Sequence, residues 1–116
     1  MHELTITENI LEIALRNATK SNATQITDIH LVIGQLSAVI GDSVQFYWDY
    51  ISKDTIAEGA VLHFRRIVAK FQCMECHFEF PLRPDTLTCP SCQGFRIITI
   101  AGDEFFLESI QIENLR

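Results

Sequence analysis

Cys73-Met-Glu-Cys76 and Cys89-Pro-Ser-Cys92 contain all four cysteines of this 116-residue chain. Two residues between the members of each pair allow both sulfurs of one tight turn to point at a single ion. Residues 77–88 are enough for a short hairpin that brings the second turn opposite the first. Four thiolates in that arrangement form a closed tetrahedral cage, which is the usual form of a structural Zn²⁺ site. The spacing therefore predicts a small module that folds around zinc.

Two other uses of paired cysteines fit the sequence less well. A rubredoxin-like iron centre is expected to have small residues behind each pair, so that backbone N–H groups reach the sulfurs. Gln93-Gly94 follows the second pair, but His77-Phe78 follows the first, so one half departs from this pattern. A redox dithiol is typically a single CxxC on a thioredoxin-like unit. His77 itself is either a half-exposed neighbour of the cage or a donor that contacts the metal.

The composition favours a small protein with acidic character. The chain carries a net charge of −6. Its length and its 47% hydrophobic content are enough for one α/β unit and a metal-stapled module. No apolar run reaches the roughly 18–20 residues of a membrane span, and the N-terminus lacks a secretory signal. We therefore expect a cytoplasmic protein with reduced thiols. The only basic residues of the cysteine region are Lys70, Arg83 and Arg96, which argues against nucleic-acid binding.

Hydrophobic periodicity predicts two helices and several strands. Thr5 and Glu8 fit a capping box, so the first helix is expected from Thr5 to Lys20, with the residues before it outside the helix. A second helix is expected to begin at Asp42 or Ser43. The predicted strands are Ile26–Ile33, Ala60–Val68, Phe95–Ile100 and Phe106–Ile112, with Gly102-Asp103 between the last two.

These elements predict an α+β fold, in which a small sheet packs with two helices and a Cys₄ zinc-ribbon-like module is inserted. Residues 1–68 together with 104–116 form the expected first domain, and residues 69–103 form the zinc-binding module. His30 and His63 fall within strand patterns and are interpreted as ordinary strand residues. No combination of nucleophile, base and orienting group is visible, and no phosphate-binding loop, so the sequence does not predict an enzyme.

His2 has a chemical use that depends on its position. A free Met1 amine, the His2 backbone nitrogen and the His2 imidazole can close adjoining five- and six-membered chelate rings. Three nitrogen donors near one plane favour Ni(II) or Cu(II) over zinc. The other interpretation is a solvated terminal histidine with no metal. A free terminus ahead of the predicted helix is what the chelate requires.

Several motifs together resemble the HypA/HybF family of nickel-insertion proteins, which act in NiFe-hydrogenase maturation. They cover essentially the whole chain in the family's order: Met1-His2-Glu3-Leu4, Ile33-Gly34-Gln35-Leu36-Ser37, the paired CxxC motifs, Gly102-Asp103-Glu104 and Glu108-Ser109-Ile110. The resemblance implies a metallochaperone rather than an enzyme. It also implies that His2 binds nickel, that Glu3 affects metal selectivity or transfer, and that Cys73, Cys76, Cys89 and Cys92 bind structural zinc.

The resemblance further implies the partners. They are a HypB-type nickel GTPase and the hydrogenase large subunit, and in some bacteria the urease maturation system. Some members take a further nickel donor from the zinc module, where His77 is the only histidine. The competing hypothesis is a zinc-ribbon adaptor that binds another protein and handles no nickel, but it leaves Met1-His2-Glu3 unexplained.

Overall fold

The computed structural model describes residues 2–39, 41–84 and 88–114. Within them the elements are α1 (His2–Lys20), β1 (Gln25–Gly34), α2 (Gly41–Ile51), β2 (Val61–Ile67), β3 (Lys70–Cys73), β4 (Glu79–Pro81), β5 (Ile97–Ala101) and β6 (Phe105–Glu113). The strands form two three-stranded sheets, in the orders β2-β1-β6 and β4-β3-β5. No helix in this part of the chain is long and apolar enough to cross a membrane.

The first sheet has β1 at its centre. β1 pairs in parallel with β2 and antiparallel with β6, and α2 lies in the crossover that the parallel pair requires. Both helices pack with this sheet around one core, whose buried members are Ile10, Ala14, Ala18, Ile26, Ile29, Leu31, Val44, Trp48, Ala57, Ala60 and Leu62. The predicted α+β fold, with a small sheet, two helices and a separate cysteine module, is confirmed.

Helix α1 begins at His2, so the predicted start at Thr5 is wrong. Thr7 is fully buried, and its hydroxyl donates a hydrogen bond to the Glu3 carbonyl one turn earlier. This bond allows a polar residue to enter the buried stripe of the helix. Since α1 begins at His2, both His2 and Glu3 belong to its first turn and are not an extended terminus. Met1 lies outside the described residues.

Two bulges keep apolar side chains of the first sheet on its helix face. The pairing of β1 with β6 skips Thr27 on one strand and Glu108 on the other. Ile26 and Ile29 therefore both reach the core although they are three residues apart, and β6 behaves likewise on either side of Glu108. Simple alternation does not predict this arrangement, because it places residues two apart on one face.

The second sheet forms around β3, which pairs antiparallel with β4 and β5. Its small core consists of Ala69, Phe71 and Phe80, with Ile97 packed against it. The sequence predicted a short hairpin here and did not predict β3 or β4 as strands. Since β5 belongs to this sheet and β6 to the first, Gly102-Asp103 connects two sheets.

Three backbone segments come close together where the sheets meet. The Gly34 N–H donates to the Glu104 carbonyl at 2.7 Å, and the Leu36 N–H donates to the Gly102 carbonyl at 2.6 Å. A Cβ atom on Gly34 would lie 2.1 Å from the Gly102 oxygen, and one on Gly102 would lie 2.5 Å from the Ala69 Cα. Gly102 also has a φ of +110°. This junction, formed by Gly34, Gly102 and Ala69, therefore requires glycine at its first two positions.

We expect Gly102→Ala to lower the free energy of unfolding by about 3 kcal/mol or more, because it combines a positive φ with steric overlap. Gly59→Ala is the matched control, since Gly59 also has a positive φ of +83° but a Cβ there would meet nothing within 4 Å. The control should lose only about 1–2 kcal/mol, from backbone strain. Urea unfolding followed by Trp48 fluorescence measures both losses, and equal values would contradict the steric role of Gly102.

Candidate metal centre

The four cysteines meet at one end of the second sheet. Their Sγ atoms all lie within 4.8 Å of one another. Cys73 Sγ is 3.6 Å from Cys92 Sγ, and Cys76 Sγ is 3.6 Å from Cys89 Sγ. Four sulfurs at about 2.3 Å from a tetrahedral ion stand roughly 3.8 Å apart. The spacing of the thiols therefore fits a closed four-sulfur metal site.

Both turns that hold the cysteines have the same backbone form. In each, the N–H two positions after the first cysteine donates to that cysteine's Sγ at 3.3 Å. Each turn then closes through a left-handed residue, His77 with a φ of 66° and Gln93 with a φ of 64°. Their N–H groups donate to the carbonyls of Cys73 and Cys89. The two turns therefore close in the same way, although different residue types follow the cysteine pairs.

The close packing of the thiols separates their pKa values. Burial opposes ionisation of Cys89, but backbone N–H groups, that of Cys92 foremost, lower its pKa to about 7. The N–H of Cys76 likewise holds the pKa of Cys73 below its usual value. The N–H of Gly94 favours the Cys92 thiolate, yet the Cys73 and Cys76 thiols raise the pKa of Cys92 to about 12. Four thiolates this close together repel one another, so their full ionisation requires a bound cation.

His77 lies next to the cage but outside the cluster of donor atoms. Among the described residues, the group of three or more clustered donors consists of the four cysteines alone. The His77 side chain is exposed, and its backbone closes the first turn. Its use as a further metal donor stays a hypothesis.

Of the predicted nickel donors, the structure describes the His2 backbone and Glu3. The Met1 amine and the His2 imidazole are outside the described part of the structure, which begins with the helical backbone of His2. Glu3 follows in the first turn and is half-buried. The first N–H groups of any helix have no acceptor within it. The His2 backbone nitrogen is therefore not committed to an internal bond of α1.

Two other histidines, predicted as ordinary strand residues, lie side by side. His30 and His63 are paired in the register of β1 and β2, and their rings stack with centroids 4.6 Å apart and planes 13° from parallel. Asp28 Oδ2 is 2.6 Å from His63 Nε2. The parallel register brings these residues together, and no local sequence pattern encodes that register.

A family model and individual relatives of known name all match almost the whole chain and belong to one family. Residues 1–112 match the family model described as "Hydrogenase/urease nickel incorporation, metallochaperone, hypA". The hydrogenase maturation factor HypA of Dehalococcoides mccartyi strain CBDB1 is 46% identical over 114 residues, which cover 98% of this chain and 96% of that protein. HypA of Caldanaerobacter subterraneus subsp. tengcongensis is 37% identical, with 97% of this chain and 100% of that protein covered.

Two solved structures share the fold. The solution structure of the Ni metallochaperone HypA from Helicobacter pylori superposes with a TM-score of 0.67 at 21% identity, covering 97% of this chain and 98% of that one. A second structure, titled as the solution structure of HypA protein, gives 0.75 at 20% identity, with 97% and 96% covered. The family match and the near-full-length relatives establish that this chain belongs to the HypA family of hydrogenase and urease nickel-incorporation metallochaperones.

Proposed function

We propose that this chain binds Ni²⁺ at its N-terminus and helps deliver it to the large subunit of a NiFe hydrogenase during maturation. The match of residues 1–112 to a nickel-incorporation family carries this proposal. Similar proteins of nearly the same length are named hydrogenase maturation factors, and one solved structure of the same fold is titled a Ni metallochaperone. The role is transfer of an ion without a catalysed reaction, so the protein is not assigned as an enzyme.

The four-sulfur site is assigned to structural zinc. Its donors are all thiols, their spacing suits tetrahedral coordination, and their mutual repulsion is relieved by a dication. Bound zinc would hold residues 69–103 together as one module, whose apolar core contains only a few buried side chains. Residues 1–68 together with 104–116 would then form the nickel-binding domain.

Nickel is assigned to the Met1 amine and to the backbone nitrogen and imidazole of His2, with Glu3 beside them. Because α1 begins at His2, this residue is not in a free segment ahead of the helix, but its backbone nitrogen has no acceptor within α1 and stays available as a donor. The positive end of the helix dipole opposes a bare dication, but it favours a deprotonated amide nitrogen. The Glu3 carboxylate adds negative charge in the same turn.

The partners follow from the same role. They are a HypB-type nickel GTPase, the hydrogenase large subunit and urease maturation proteins. A net charge of −6 suits a cation carrier and partners with basic surfaces, and it does not suit nucleic acid. A cluster of four reduced thiols fits the reducing cytoplasm.

A zinc-ribbon adaptor without nickel is the competing function. The cysteine cage alone favours it, since many such cages serve only to fold an interaction module. The two functions differ in whether untagged protein with a free Met1 amine binds nickel, so the experiments below separate them.

We expect one zinc ion per chain, bound through sulfur alone. Cys73→Ser should remove that zinc and disorder the second sheet, because metal binding energy is folding energy in so small a module. Elemental analysis, X-ray absorption and amide NMR spectra measure the three effects. Iron as the bound metal, or a zinc shell dominated by nitrogen or oxygen, would contradict the assignment.

We expect His2→Ala to abolish binding of one Ni²⁺ per chain while zinc content and fold stay unchanged. The substitution removes the imidazole donor, and a chelate that loses one ring loses most of its affinity. His77→Ala is the matched control, because it removes the histidine beside the cage and should leave nickel binding intact. Nickel titration of untagged protein by calorimetry provides the comparison. Unchanged affinity in His2→Ala would exclude His2 as an essential donor.

Acetylation of the Met1 amine should weaken nickel binding even when His2 is present, because it removes one nitrogen donor. In free-amine protein, affinity should fall as pH drops through the range of the α-amine, about 7.7–8.0, and of imidazole, about 6.5, since protons compete with nickel. Calorimetry of acetylated and free-amine protein at one pH makes the decisive comparison. Equal affinities would show that the amine is not a donor, while leaving His2 in that role.

A further inference from the structure

The face of the first sheet that is turned away from the helices carries a group of charged and titratable side chains. Ile29 and Leu31 of β1 enter the helix core, so the alternate residues Asp28 and His30 lie on the opposite face. His63 of β2 is paired with His30 in the parallel register and lies on that face as well. The sheet therefore separates this group from the helix side.

Geometry joins three of these side chains into one cluster. The His30 and His63 rings stack at 4.6 Å, and Asp28 Oδ2 lies 2.6 Å from His63 Nε2. The side chains of His63 and Asp28 are 45% and 25% exposed, so an ion can reach them from solvent.

The surrounding charges do not block a cation. Arg65, the nearby basic residue on this face, forms two hydrogen bonds to Glu108, at 2.9 and 3.3 Å. Its charge is therefore paired. Asp28 is held ionised, because the hydrogen bond from His63 lowers its pKa. The cluster thus presents one carboxylate and two imidazoles, with the neighbouring guanidinium neutralised.

The hydrogen bond to Asp28 determines which ring nitrogen of His63 can bind a metal. An ionised carboxylate only accepts hydrogen bonds, so the proton of this bond is on His63 Nε2, and Nδ1 has the lone pair in the neutral imidazole that a metal requires. Metal-binding histidines commonly donate their other N–H to a carboxylate, which fixes the tautomer and makes the ligand more basic. Two imidazoles bind Cu²⁺, Ni²⁺ or Zn²⁺ well, and Mg²⁺ or Ca²⁺ poorly.

We propose that His30 and His63 form a second metal site, which takes a late first-row divalent cation on the outer face of the first sheet. Asp28 is the positioning residue for His63. Two cis nitrogens at about 2.0–2.1 Å from an ion are roughly 3 Å apart. Because the ring centroids are 4.6 Å apart in the stacked arrangement, metal binding requires the two rings to turn about their side-chain bonds until one nitrogen of each reaches that separation. Water completes the coordination, so this site is weaker and more open than the cysteine cage.

The test uses full-length, zinc-loaded protein that carries His2→Ala, so that its result is independent of the proposed N-terminal site. Titration with Cu²⁺ or Ni²⁺ should broaden the amide signals of β1 and β2 around His30 and His63. His30→Ala or His63→Ala should weaken the binding at least about 10-fold, whereas His77→Ala should not change it. Mg²⁺ should produce no effect.

Asp28→Asn tests the positioning role with little change in shape. It should weaken metal binding about 10-fold, as removal of an outer carboxylate partner commonly does. Imidazole ¹⁵N spectra should also show that His63 no longer holds its proton on Nε2 alone. Thermal melts verify that each variant is folded. Absence of β1 and β2 broadening in the His2→Ala protein, or broadening that persists in both histidine variants, would overturn the proposal.

Discussion

Close approach of three backbone segments is the constraint on which both sheets depend. The chain leaves the first sheet after β2, forms the whole second sheet, and returns to pair β6 with β1. Exit and return occur at one place, where Gly34, Gly102 and Ala69 leave no room for additional side-chain atoms at the two glycines. Hydrogen bonds from Gly34 and Leu36 connect the end of β1 to the returning segment. The position of the cysteine cage relative to helix α1 therefore depends on this junction.

Much of this fold could be predicted from local sequence, because its strongest signals are local. The paired CxxC motifs identified the four clustered thiols, and periodicity identified both helices and most of the first sheet. Two features could not be predicted locally. The capping-box pattern at Thr5 and Glu8 suggested a later start for α1, and it did not reveal that Thr7 is buried with its hydroxyl bonded to the Glu3 carbonyl. The bulges at Thr27 and Glu108 depend on the pairing of β1 with β6, which are distant in sequence.

The candidate donors differ in how firmly the fold holds them. The cysteines lie on two turns of equal form, each closed by a left-handed residue and bonded to its sulfurs by backbone N–H groups. An ion held by all four sulfurs would be released only when these two turns separate, because each turn supplies two of the donors. The proposed nickel donors include the backbone of His2, the first residue of α1, where only a short length of chain must move for release. The stacked histidines are intermediate, since their backbone is fixed by β1 and β2 while their rings are half-exposed.

The pairing of β6 with β1 also has a kinetic consequence. Thr24 and Glu113 are hydrogen-bonded across 89 positions of sequence, and the entire cysteine module lies between them. Closing so long a loop slows folding, because chain entropy is lost before the contacts form. An ion that first gathers the two cysteine turns shortens the loop that remains to be closed. Binding of an ion by the four thiols would therefore couple the rate at which the first sheet assembles to metal supply, although none of the cysteines belongs to that sheet.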